Sequence, residues 1–154
     1  DATWIVSANA SRARFFSQGR HSDPLQEIND MVDEAVRLRT SETESDKLGP
    51  MSATKSKHDV GAPVANKAFQ QAQTPEQHEM ELFARSVAGF LLKGHQEGRF
   101  QKLILIVSPQ FLGVLRKQID PGLAPLVSLE INKDYTHCKG EELREHIQAH
   151  QAKE

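Results

Sequence analysis

A single cysteine among 154 residues excludes an internal disulfide and any zinc site built on paired cysteines. That one thiol, Cys138, fits a reducing compartment, so a cytoplasmic location is expected. Long apolar runs are missing as well: the longest, residues 103–107, falls far short of the roughly 20 residues that a membrane-crossing helix needs. No membrane insertion is expected. The first residues show no basic segment followed by an apolar one, so no secretory signal is read. Nor is charge of one sign in excess. Lys and Arg number 19 against 21 Asp and Glu, a formal net charge of −2, which removes the overall basic footprint of a dedicated nucleic-acid binder but leaves room for a local patch. Apolar residues make up only 38% of the chain, so a good part of it must lie outside the packed core.

What is present falls into short ordered stretches around one polar tract. Residues 3–8, β-branched and aromatic, read as a strand; Asn9, Ala10 and Ser11 form a turn, and residues 13–17 return as the second arm of a hairpin. Gly19, Ser22, Asp23 and Pro24 mark another turn, after which residues 25–31 read as a third, edge-like strand. From residue 40 to 73 the composition shifts to Ser, Thr, Lys, Gly, Pro, Ala and Gln, with Leu48, Met51, Val60, Val64 and Phe69 at no regular period. Too little apolar surface is available there to offset the entropy of ordering so long a segment, so a flexible loop is expected over about residues 40–74.

Order resumes with the clearest start signal in the chain. Thr74 as N-cap, Pro75 at the first helical position and Gln77 able to close a capping box announce a helix. Met80, Phe83, Ala84, Val87, Phe90 and Leu91 form its apolar stripe, with Gly98 as the stop and Gly94 as an earlier alternative. Residues 102–108 are apolar on both faces, as in a strand covered by helices on two sides, and Ser108-Pro109 repeats the cap-plus-proline start of a helix over about 109–119. Asp120, Pro121 and Gly122 end it. Residues 126–131 alternate as a half-buried strand, and a last helix from about Gly140 packs by Leu143 and Ile147. The expectation is one α/β domain over residues 1–154, with a single mixed sheet of about five strands in the order β-β-β-loop-α-β-α-β-α.

Candidate chemistry is sparse. The meander followed by alternating helices and strands resembles ribonuclease H-like enzymes, which hold metal ions on acidic residues of the first strand. Here that strand carries no carboxylate, and Asn9 is a poor substitute. His146 and His150 fall at the i, i+4 spacing that suits a metal, with Glu142 one turn before, but a solvated polar face near the terminus is the better account. His137-Cys138 reads as a turn before a helix rather than a catalytic dyad. The segment Ser108-Pro109-Gln110-Phe111 opens a helix at the end of a strand without a glycine-rich phosphate cradle. Arg12 and Arg14 lie two apart on the second strand, on one face of the sheet, as candidate anion contacts; the alternative is an exposed sheet edge protected by charge. Lys55, Lys57 and Lys67, with Lys47 and His58, make the polar tract locally basic and add to a candidate RNA-binding set. No catalytic residue, cofactor or metal is assigned.

The ordered segments read together resemble the bacterial host-attachment protein family. The resemblance rests on Thr3-Trp4-Ile5-Val6-Ser7-Ala8-Asn9-Ala10-Ser11-Arg12-Ala13-Arg14-Phe15-Phe16, on Phe83-Ala84-Arg85, on residues 103–107 leading to Pro109 and Phe111-Leu112-Gly113-Val114-Leu115-Arg116, and on Lys133-Asp134. That family in turn is similar to the middle domain of archaeal and eukaryotic peptide-chain release factors and of Pelota. The likeness implies a release-factor middle-domain-like or ribonuclease H-like topology, a non-enzymatic part in attachment to host cells, and the ribosome, RNA or a protein as partner. Release factors carry a Gly-Gly-Gln tripeptide where this chain has its polar tract. Gly49 and Gly61 are isolated and Gln70-Gln71 follows Ala68-Phe69, so the tripeptide is absent and peptidyl-tRNA hydrolysis is not expected.

Overall fold

The computed structural model describes residues 1–33 and 74–153. The tract expected as a loop over residues 40–74 lies outside the described residues, apart from Thr74. The chain divides into two units, residues 1–32 with 80–154, and residues 33–79. Of the second, only Asp33 and residues 74–79 are described.

The order of elements is β1 (Thr3–Ala8), β2 (Arg12–Gln18), β3 (Gln26–Val32), α1 (Pro75–Gln96), β4 (Lys102–Val107), α2 (Pro109–Gln118), β5 (Val127–Ile131) and α3 (Gly140–Ala152). The five strands form one open mixed sheet ordered β3-β2-β1-β4-β5. The first three pair antiparallel as a meander; β1 then pairs parallel with β4, and β4 with β5. An antiparallel side and a parallel side built by crossovers are thus both present, as expected. Two helices cover one face and one helix the other. Trp4, Val6, Ala8 and Phe15 pack with Phe83, Val87 and Leu91 of α1 and with Phe111 and Leu115 of α2. Across the sheet, Ile5, Phe16, Ile104, Ile106, Leu129 and Ile131 meet Leu143 and Ile147 of α3. Each of the Val, Leu, Ile and Phe side chains among them contributes about 1.5–3 kcal/mol by leaving water.

Local chemistry explains most element boundaries. Thr74 Oγ1 accepts from the Gln77 N–H at 3.2 Å and Gln77 Oε1 accepts from the Thr74 N–H at 3.0 Å, closing the capping box. At the other end of α1, Gly98 takes φ 69° while its N–H reaches His95 O and the Arg99 N–H reaches Gly94 O. That pair of bonds is a Schellman stop, so Gly98 and not Gly94 terminates the helix. Gly94 is glycine for another reason: a Cβ there would lie 2.6 Å from Cζ3 of Trp4. The Trp4 ring stacks on Phe90 and Phe100 and lies under the Arg99 guanidinium.

Ser108 is the N-cap residue of α2 and Pro109 follows at its start, as expected. The Ser108 side chain forms no capping hydrogen bond; its N–H donates to Ala8 O, prolonging the β1–β4 ladder, and its carbonyl accepts from Phe111 and Leu112. Between α2 and β5 the chain makes a 3₁₀ turn, Pro121–Leu126, that burial of Leu123 holds down and Asp120 caps through the Gly122 N–H. Turn formers alone do not reveal it.

Candidate functional site

Strands β1, β4 and β5 run parallel and end on the same side, the place where open α/β sheets bind ligands. Three segments converge on it: the turn after β1, Ser108 after β4, and residues 132–139 after β5.

Asn9 holds two of these together. Its Oδ1 accepts from the N–H groups of Ser11 and Arg12, both at 2.9 Å, and from Ser11 Oγ, which fixes the hairpin turn. Its Nδ2 donates to Asp134 Oδ2 at 2.9 Å and to Thr136 Oγ1 at 3.1 Å, across 125 and 127 residues of chain. Asp134 Oδ1 in turn accepts from the N–H and hydroxyl of Thr136. Partial burial by itself would raise the Asp134 carboxyl; hydrogen bonds from Asn9 and Thr136 and the charge of His137 outweigh it and hold the group below its ordinary value.

Arg14 locks the same segment from the sheet. Its Nε and Nη2 donate to the two oxygens of Glu27, at 2.9 and 3.0 Å. Its Nη1 donates to the carbonyls of Thr136 and Cys138, while the guanidinium lies over the Phe16 ring. Arg12, two residues back, forms its own two-pronged pair with Asp30, at 3.0 and 2.7 Å. Hydrogen bonding to that guanidinium lowers the Asp30 carboxyl, and the same bond raises the pKa of Arg12. Both arginines thus share a face, as the two-residue spacing requires, but each is matched to a carboxylate of β3. The reading of β2 as a charge-protected edge is corrected: β3 lies outside it, so the edge strand is β3.

Cys138 is buried in this corner, and burial pushes its thiol up, with the charges of Glu142 and Asp134 adding to the shift and Arg14 opposing it. Opposite Arg14 on β1 stands Ser7, fully buried, whose hydroxyl has no partner among the described residues.

The remaining candidates lie elsewhere. The His146 ring stacks on Tyr135 with centroids 4.0 Å apart, and His150 Nδ1 is 2.9 Å from the backbone carbonyl of His146. The two imidazoles are therefore committed to a ring and a carbonyl rather than turned to a common point. Among the described residues no group of three His, Cys, Asp or Glu could hold a metal ion. Lys55, Lys57 and Lys67, with His58, lie outside the described residues. What the sequence reading missed is the Asn9–Asp134–Thr136 linkage. Its one local signal was an asparagine two and three residues before the N–H groups it caps, the pattern of an Asx turn.

Residues 4–147 match the model of a family described as protein required for attachment to host cells. This match lends no support to the further resemblance to release factors and Pelota. Comparison with curated proteins returns no match.

Proposed function

The chain belongs to the family of proteins required for attachment to host cells, and we propose that it serves attachment from inside the cell, without chemistry of its own, through a macromolecular partner. The observation that carries this reading is the closure of the strand-end corner by the chain's own groups. Asn9, Asp134, Thr136, Arg14 and Glu27 bond to one another where an open α/β sheet would hold a small substrate. Closure of that corner supports recognition through the surface there. The strand order, with β2 reversed, supports a ribonuclease H-like assignment of the topology.

Cell fractionation of adhering bacteria tests the location: the protein is expected in the cytosol, and recovery at the outer surface would replace the indirect role by direct adhesion. Affinity capture with the full chain and with residues 40–73 deleted tests the partner. Loss of a captured protein on deletion is the expected outcome; an identical set of partners would make that tract passive. A second reading, association with RNA or the ribosome, rests on Lys55, Lys57 and Lys67 in the polar tract. Its mark is salt-dependent sedimentation with ribosomes, and absence from ribosomal fractions at low salt removes it.

A further inference from the structure

The opposite end of the sheet, where the parallel strands begin, carries a cavity of about 250 Å³. Gln18, Thr3 and Lys102 are register partners across β2, β1 and β4, so the three side chains form one row on the face covered by α3. Ser128 joins them by an irregularity. Leu103 pairs with Val127 but Ile104 with Leu129, so Ser128 is the extra residue of a bulge, a device that re-aims a side chain. Gln151, from the last turn of α3, lines the cavity too, with Asp1, Gly19 and His21 at its border.

Two features of this lining ask for a ligand. Gln18 is only 6% exposed, and its Nε2 spends both hydrogens on the carbonyls of His21 and Asp23, at 3.0 and 2.8 Å. The orientation of the amide is thereby set, and its oxygen accepts no hydrogen bond among the described residues. Gln151 Oε1 is buried and lacks a partner among the described residues. A buried acceptor without a donor is costly, so the Gln151 oxygen calls for a donor from outside the chain, and the Gln18 oxygen beside it is free to accept a second. The carboxyl end of α3, with its partial negative charge, favours donors too. Beside these acceptors stand the hydroxyls of Thr3 and Ser128 and the ammonium of Lys102, which call for acceptors.

We infer that this cavity binds a neutral polyhydroxylated molecule of about the size of one sugar ring. A hydroxyl group both donates and accepts, so a ring carrying several satisfies both sets at once. An anion would leave the two amide oxygens unmet and would face Asp1, which also borders the cavity; a cation would face Lys102. The volume lies just below the usual range of ligand pockets, which fits one small ring and not a larger ligand. The assignment does not depend on the proposed function.

The test is a titration of the ¹⁵N-labelled full chain with glucose, galactose, mannose and myo-inositol, and in parallel with glucuronate and inorganic phosphate, following the side-chain amides of Gln18 and Gln151. Saturable shifts of both amides by at least one neutral compound are expected, with Kd on the order of 1 mM. Gln151→Leu should abolish the shift of the Gln18 amide while raising the melting temperature of the unliganded protein, since it removes an unpaired acceptor. Ser128 is exposed, so Ser128→Ala preserves the fold and should weaken binding about tenfold, equal to one lost hydrogen bond. No saturable shift up to about 50 mM, well above the affinity expected, would overturn the inference. So would tighter binding of phosphate or glucuronate than of any neutral compound, or unchanged binding by both variants.

Discussion

Arg14 and Arg12 each grip one carboxylate of β3, but the side chain of Arg14 is 12% exposed and that of Arg12 is 42% exposed. Water screens the outer pair and competes for it, so Arg12→Ala should cost less than about 1 kcal/mol. Arg14→Leu removes charge-assisted bonds from a poorly hydrated corner and strands the carbonyls of Thr136 and Cys138, so a loss of about 2 kcal/mol is expected. Urea unfolding of the two variants measures the difference. Ser7→Ala should instead stabilise the protein, by about 1 kcal/mol, because the hydroxyl it removes is buried without a partner among the described residues. The acid limit follows from Asp134 and Asp30, both held below their ordinary values in the folded chain. A depressed folded value means stabilisation that is complete above the unfolded value, near pH 4, and is lost as pH falls through the folded ones. Asn9→Ala takes a donor from Asp134, so an NMR titration of that carboxyl should show its value move up. Of these residues the sequence displayed the arginine pair, because a two-residue period on a strand fixes a common face. It could not display their carboxylate partners, which depend on the register of β3, nor Asn9 with Asp134, which only the finished fold brings together.

Glycines within and after α1 set the element scale, since three of them answer to different constraints. Gly94 faces Trp4 at contact distance, so Gly94→Ala forces a ring stacked between Phe90 and Phe100 to move, at a cost of about 2–3 kcal/mol. Gly98, with φ 69°, tolerates a Cβ sterically but not conformationally, and Gly98→Ala should cost about 1 kcal/mol. Gly89 is exposed with nothing within 4 Å of a Cβ, so Gly89→Ala should stabilise the helix by about 0.5–1 kcal/mol. Thermal melts of the three variants rank them. Helices and strands were legible here wherever a period of 3.6 or 2 met a start or stop signal, as at Thr74-Pro75 and Gly98. Ser108-Pro109 does open α2, but the Ser108 hydroxyl makes no capping bond because the Phe111 N–H goes to the Ser108 carbonyl, and the 3₁₀ turn of residues 121–126 was hidden because proline and glycine punctuate a turn without specifying its length.

At the scale of the molecule, the layered arrangement was legible from the both-faced apolarity of residues 102–107 and the single stripes of the helices, which together require a covered parallel sheet beside a meander. The corner after β5 was not, since its network is made by residues that look like ordinary loop formers. Cys138 reports on the integrity of that corner: buried and with a raised pKa, it should react slowly with a thiol reagent at neutral pH and rapidly once urea unfolds the chain. The pairing of β1 with β4 has a further consequence, for synthesis. Thr3 is matched with Lys102, 99 residues later, whereas β1 and β2 meet through a short turn. As the chain leaves the ribosome the three-stranded meander can close early, yet the inner edge of β1 stays without its neighbour until β4 has been made. For most of translation the most apolar strand of the meander is thus an open template for other nascent chains. Chains truncated before residue 100 should accordingly aggregate when released, and those that extend past β5 and α3 should not.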